Sequence, residues 1–172
     1  HLSSFDENQA RQKGQKLKLI SKAVESGENE VYLMVVPQFI LPGERLYEVD
    51  EEYNAVTIEA PFSGAQLLVG QGAGANPTGS AVLSDILDAL SGHSYRYSKA
   101  QSLQQFTYNP ADEIEVYLGF KDRAVLDTIP VKSIKRETEG LERGSVIAML
   151  KVQDLLDAKG VIEENGIFVA AT

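Results

Sequence analysis

The 172-residue sequence contains no cysteine and only two histidines, one of them residue 1. Without cysteine there is no disulfide, no thiolate metal site and no cysteine nucleophile. Two histidines leave little for a histidine metal site or a Ser–His–Asp triad. Basic side chains are in deficit, 16 against 25 acidic ones, for a formal net charge of −9. That balance opposes binding to nucleic acid or an anionic membrane, because phosphate contacts need clustered Lys and Arg. The one basic cluster, Arg11, Lys13, Lys16, Lys18 and Lys22, carries no interleaved aromatics to stack bases and reads as a solvated face. No apolar run approaches the ~18 residues of a membrane span, and no signal-peptide pattern opens the chain. A cytoplasmic protein is expected. The first residue is His1, not Met, and a polar stretch, Leu2-Ser3-Ser4-Phe5-Asp6-Glu7, follows it. Such a start is expected of a piece of a longer polypeptide, with His1 native or a tag remnant.

The length fits one domain or two small ones, since domains run about 100–200 residues. Charge is spread evenly, with 8 basic and 13 acidic groups before residue 106 and 8 and 12 after it. Ser4 with Glu7 three residues on is a capping-box signature for a short helix, and Gly14 ends it as a left-handed cap. Leu17, Leu19 and Ser21 alternate with lysines as in a half-buried strand, although Ile20 also allows a helix continued through Val24. Val31 to Val36 reads as a strand ended by Pro37. Asn54–Glu59 and Ala65–Val69 read as further strands about a Pro61-Phe62-Ser63-Gly64 turn, which together predict an antiparallel meander with one apolar face. A helix follows, capped by Thr78 or Ser80 and striped with Val82, Leu83, Ile86, Leu87 and Leu90. Residues 94–110 are polar and irregular and read as a linker.

Beyond it the order is strand (Ile114–Phe120), short helix (Arg123–Ile129, stopped by Pro130), hairpin about Glu142-Arg143-Gly144, a helix capped by Asp154, and a last strand, Gly166–Ala170. The expected fold class is α+β. A mainly antiparallel sheet with helices on one face (1–93) is followed by a small βαββαβ sheet (111–172).

The stretch Gly70-Gln71-Gly72-Ala73-Gly74-Ala75-Asn76-Pro77-Thr78-Gly79-Ser80 joins a strand to a helix. Gly70, Gly72 and Ala75 fit the dinucleotide fingerprint G-x-G-x-x-[GA], whose glycines let backbone N–H groups reach an anion at a helix N-terminus. The fingerprint belongs to a βαβ unit, however, and this helix leads into a polar linker. The acid about 20 residues on is also missing. A tight turn with close helix packing, or part of a site completed elsewhere, remain open alongside it.

From Gly72 to Ile86 the sequence resembles the end of the catalytic region of homoserine dehydrogenases, where a G-x-G-A-G-x-x-P-T-x-S-A-V-x-x-D run is characteristic. Lys18-Leu19-Ile20, Val36-Pro37, Leu46-Tyr47-Glu48-Val49 and Asn54-Ala55-Val56 fall in the family's order upstream of it. The likeness covers residues 8 to about 90 and departs at Gly79, where Ala is usual. It implies an oxidoreductase interconverting L-homoserine and L-aspartate 4-semialdehyde with NADP or NAD, in threonine and methionine biosynthesis. It also implies that the nucleotide fingerprint, the catalytic Lys and the carboxylates lie upstream of this chain, so that no catalytic residue falls within it and the fragment alone is inactive. Carried over by position, Gly74 matches a cofactor-contacting residue, with Gly72 and Thr78 as neighbours. A homodimer is implied as well.

The C-terminal element order resembles an ACT-type regulatory domain, which in this family implies an amino-acid effector such as threonine. The usual Asp-x-Pro-Gly signature is absent, and Lys121-Asp122-Arg123-Ala124 stands in its place. Asp50-Glu51-Glu52 and Glu163-Glu164 read as acidic surface turns, not metal ligands. Tyr95 and Tyr97 read as packing residues, His93 as a partner of a helix C-terminus, and Ser63, Ser80 and Ser84 lack a base. The alternative is a non-enzymatic small-molecule-binding or oligomerisation module.

Overall fold

Alternating side chains from Lys16 to Ile40 make a long antiparallel hairpin, β1 (Lys16–Gly27) and β2 (Glu30–Ile40), turned at Glu28-Asn29 with Asn29 left-handed at φ 64°. The structure, a computed structural model, describes residues 1–94 and 105–172. It divides into two units, one of His1–Pro42 with Gln104–Thr172 and the other of Gly43–Leu103.

In the first unit a helix, α1 (Ser4–Gln12), precedes the hairpin. The C-terminal part adds β5 (Thr107–Tyr108), β6 (Glu113–Phe120), a 3-10 helix (Arg123–Thr128), β7 (Ser133–Glu139) and β8 (Gly144–Lys151). It closes with β9 (Phe168–Ala171), reached through two short helices that follow β8, Val152–Asp157 and Lys159–Glu164. The strands form one sheet in the order β1-β2-β9-β6-β8-β7, with β5 also on β2. Within it, β9-β6-β8-β7 is the antiparallel order of a βαββαβ plait.

Strand period puts Val116, Leu118, Phe120, Val146, Ala148 and Leu150 on one face, against Leu126 and Ile129 of the 3-10 segment and Ala158 and Ile167 of the helical return. Tyr117, Ala170 and Phe168 face the other way, where Ala10 of α1 and Phe39 of β2 cover them. Helices therefore lie on both faces of this sheet, not one. The expected boundary at 94–110 is also crossed, since β2 pairs with β9 at Gln38↔Ala171 and with β5 at Glu30↔Thr107. Of the expected linker, residues 95–104 and with them Tyr95 and Tyr97 lie outside the described residues.

Other boundaries moved for physical reasons. The capping box at the start of α1 uses Ser3 and Asp6, not Ser4 and Glu7. Asp6 is fully buried and anchored from within, whereas Glu7 points to water. Gly14, left-handed at φ 66°, does end the helix region as expected. Pro37 does not end its strand. The carbonyls of Asn29 and Val31 accept from Thr107 and Asn109 on the side away from β1. Alternation carries the backbone of Pro37 to that same side, so its missing N–H costs the β1 ladder nothing. Asp154 is not a cap residue but sits inside the first turn, its Oδ2 accepting from the Lys151 N–H at 3.4 Å.

The second unit holds the hairpin β3 (Tyr53–Ala60) and β4 (Gly64–Gln71), a separate two-stranded sheet, and α2 (Ala75–Leu90). The expected meander is thus two hairpins in two sheets. Among the described residues no helix is long and apolar enough to cross a membrane.

Candidate functional site at the glycine loop

β3 and β4 pair without a break from Ala60↔Gly64 to Tyr53↔Gln71. One step further, the Gly72 N–H donates to the Glu52 carbonyl at 2.8 Å, while the Gln71 side-chain amide lies 3.4 Å from the Glu52 carboxylate. The hairpin thus holds the loop up to Gly72. Gly72 itself is confined by Asn54: a Cβ built there would overlap the Asn54 Nδ2 and lie 2.7 Å from its Cγ.

Gly74 then turns the chain at φ 111° and ψ 154°, a conformation essentially reserved for glycine, and acts as the N-cap of α2 without any side-chain cap. The helix therefore begins at Ala75, not after Thr78 or Ser80. Pro77 falls in the first turn, where its missing N–H is no loss. The Thr78 N–H makes the first helical bond to the Gly74 carbonyl at 3.1 Å, so Thr78 and Ser80 are helical residues. The N–H groups of Ala75, Asn76 and Gly74 are left at the positive end of a 16-residue helix.

Of the three residues expected to meet a cofactor, Gly72 and Gly74 shape one short loop and Thr78 lies one turn into the helix. Asn54, read in the sequence as part of a strand and of the family's Asn54-Ala55-Val56 segment but not as a site residue, is the side chain against Gly72. Gly79 is the fifth helical residue, and nothing lies within 4 Å of where its Cβ would be. Gly79→Ala is expected to stabilise α2 by about 0.5–1 kcal/mol, measurable as a higher unfolding midpoint. At the other end Gly92, left-handed at φ 74°, and the His93 N–H donating to the Asp88 carbonyl at 2.9 Å close the helix.

The stripe expected to bury α2 is open. Val82, Leu83, Ile86, Leu87 and Leu90 are between 50% and 79% exposed, and Val56, Ile58, Leu68 and Val69 of the hairpin are exposed too. Among the described residues no three acidic or His side chains gather as a metal site, at Asp50-Glu51-Glu52 or elsewhere. A concavity of about 440 Å³ lies in the first unit beside Arg123, Leu126, Asp127, Ile129, Lys132 and Ser133. Its charges are already partnered: Arg123 with Glu137 at 2.7 Å and Asp127 at 3.2 Å, Lys132 with Glu113 at 2.6 Å.

Residues 1–87, ending inside α2 and including the whole loop, match the family model of homoserine dehydrogenase. The chain belongs to the homoserine dehydrogenase family. The homoserine dehydrogenase of Neisseria gonorrhoeae is 39% identical over 87 residues, and that of Corynebacterium glutamicum 31% over 93. These alignments cover 51% and 52% of the chain but 20% and 21% of the relatives. The Mycobacterium tuberculosis homoserine dehydrogenase is 28% identical over 154 residues, 86% of this chain and 32% of that one. The likeness therefore runs past the loop into the C-terminal part.

Among solved structures, a homoserine dehydrogenase from Thiobacillus denitrificans shares the fold with a TM-score of 0.66 at 23% identity, covering 99% of this chain and 45% of that one. That of S. aureus gives 0.52 at 26%, covering 95% and 42%. The chain thus spans less than half the length of these homoserine dehydrogenases.

Proposed function

We propose that these residues are the C-terminal part of a cytoplasmic homoserine dehydrogenase interconverting L-homoserine and L-aspartate 4-semialdehyde with NADP or NAD, on the route to threonine and methionine. The observation that carries the reading is the loop: the family's G-x-G-A-G run folds here into a glycine-only N-cap at Gly74, directly on the end of a hairpin. The reaction in its reductive direction moves a hydride from the nicotinamide to the aldehyde carbon, and a proton to the oxygen. This chain's share is positional. Backbone without a Cβ at Gly74 admits a flat ring closely, and the N-terminus of α2 offers it N–H donors.

The Lys and carboxylates that would move the proton, and the dinucleotide fingerprint, are assigned by the family resemblance to the part of the polypeptide before these residues. The complete polypeptide should therefore oxidise homoserine with NADP or NAD, followed at 340 nm, and the isolated 172 residues should not. Turnover by the isolated chain, or none by the complete one, would overturn the assignment.

A homodimer belongs to the same reading. The open apolar surfaces of α2 and the β3–β4 hairpin are of the kind that a second subunit, or the rest of the polypeptide, covers. The C-terminal plait is read as an ACT-like regulatory sheet for an amino-acid effector such as threonine. Its strand order supports this.

A further inference from the structure

We propose that Asn54 is the positioning residue of the glycine loop, acting on Gly72 and through it on the nicotinamide-facing Gly74; this rests on the functional reading above. Asn54 stands on β3, one residue inside the end of the β3–β4 ladder, paired with Gly70. Its carboxamide occupies the space over Gly72 that a Cβ would otherwise fill. By contrast, nothing lies within 4 Å of the Cβ positions of Gly70 and Gly79, so this contact is particular to Gly72.

The contact matters because little else fixes the loop. The hairpin ladder ends with the Gly72 N–H on the Glu52 carbonyl, and α2 begins at Ala75. Between those anchors lie only Ala73 and Gly74, and Gly74 has the freest backbone of any residue type. A branched, planar end pressed on Gly72 sets the height at which the chain leaves the hairpin. It thereby sets where the Gly74 turn presents its N–H. Asn54 touches neither ring nor substrate in this account, so its effect falls on cofactor fit and not on the chemical step.

Gly72→Ala and Asn54→Ala then remove one and the same contact, the first by pushing the amide aside and the second by deleting it. In the complete polypeptide each should raise KM for the nicotinamide cofactor about tenfold, with kcat changed less than about threefold and unfolding midpoint unmoved. The double variant should be no worse than either single one, because substitutions that break one contact are not additive. Asn54→Leu, which keeps the branched end, should return KM to within about threefold of the parent.

Additive losses, a silent Asn54→Ala, or an Asn54→Leu as impaired as Asn54→Ala would each overturn the proposal. If the parent polypeptide does not oxidise homoserine, the functional reading fails separately, and hydrogen exchange still decides the loop. The Gly72 amide, bonded to the Glu52 carbonyl in the parent, should exchange at least about tenfold faster in Asn54→Ala, and unchanged exchange would sink the positioning role.

Discussion

Asp6→Ala is expected to lower the unfolding free energy of the β6-containing sheet unit by about 2–4 kcal/mol, read as a lower midpoint in urea. Asp6, in the first turn of α1, is completely buried, yet its carboxylate is well partnered. Oδ1 accepts from the Tyr117 hydroxyl at 2.8 Å, and Oδ2 from the Ser3 N–H at 2.9 Å and the Ser3 hydroxyl at 2.6 Å. Alanine would leave the Tyr117 hydroxyl facing a hole and the first N–H of the helix unpaired. The fit is close because Gly119, next to Tyr117 on the same face of β6, has no side chain. A Cβ there would overlap Asp6 Oδ1 and lie 3.1 Å from the Tyr117 ring.

Tyr117 also gives the unit an alkaline limit. Burial, chiefly, pushes its phenol well above the ordinary tyrosine value; the nearby Asp6 carboxylate adds to this and the Ser145 hydroxyl opposes it. The folded state thus binds the phenolic proton more tightly than the unfolded chain, whose tyrosines titrate near pH 10. The stabilisation is complete below that pH and is lost as pH rises towards the folded value. The urea midpoint should hold from neutrality to about pH 9 and fall beyond it, more shallowly in Tyr117→Phe.

The strands and most turns of this fold were legible because they rest on local rules: alternation in β1, β3 and β6, and glycines or Asn29 at most positions of positive φ, Glu51 at φ 56° being the exception. What failed to read were decisions taken by distant partners. Ser3 and Ser4 are each followed three residues later by an acid, and only Tyr117, 111 residues away, selects Asp6 as the capping acid. Pro37 looks like a stop unless the side of the ladder it faces is known. The boundary at 94–110 followed composition, whereas the pairing of β2 with β9 joins the two ends of the chain in one sheet. At the loop, the family pattern named Gly72 and Gly74 but not what holds them, since nothing about Asn54 in sequence announces a contact with Gly72. The apolar stripe of α2 was legible as a stripe, but among the described residues its side chains stay exposed.

Gly74→Ala in the complete polypeptide is expected to cut kcat/KM of the proposed homoserine oxidation by about a hundredfold, the scale of a reacting centre misplaced by about 1 Å. The cause is torsional and not a lack of room. A Cβ at Gly74 would lie 3.5 Å from the nearest atom, Pro77 Cδ, an ordinary contact. However, φ 111° with ψ 154° is a region that an L-residue enters only at a cost of about 1–3 kcal/mol. Alanine escapes that cost by rotating back to negative φ. Because Gly74 is both the turn and the N-cap of α2, the rotation swings the N–H groups at the helix start away from where the hairpin had aimed them. In the isolated 172 residues the unfolding midpoint should fall only slightly, since α2 carries no buried side chain there. A hundredfold loss with near-parental stability would therefore separate loop geometry from folding. Parental kinetics in Gly74→Ala would show that the nicotinamide does not depend on this turn.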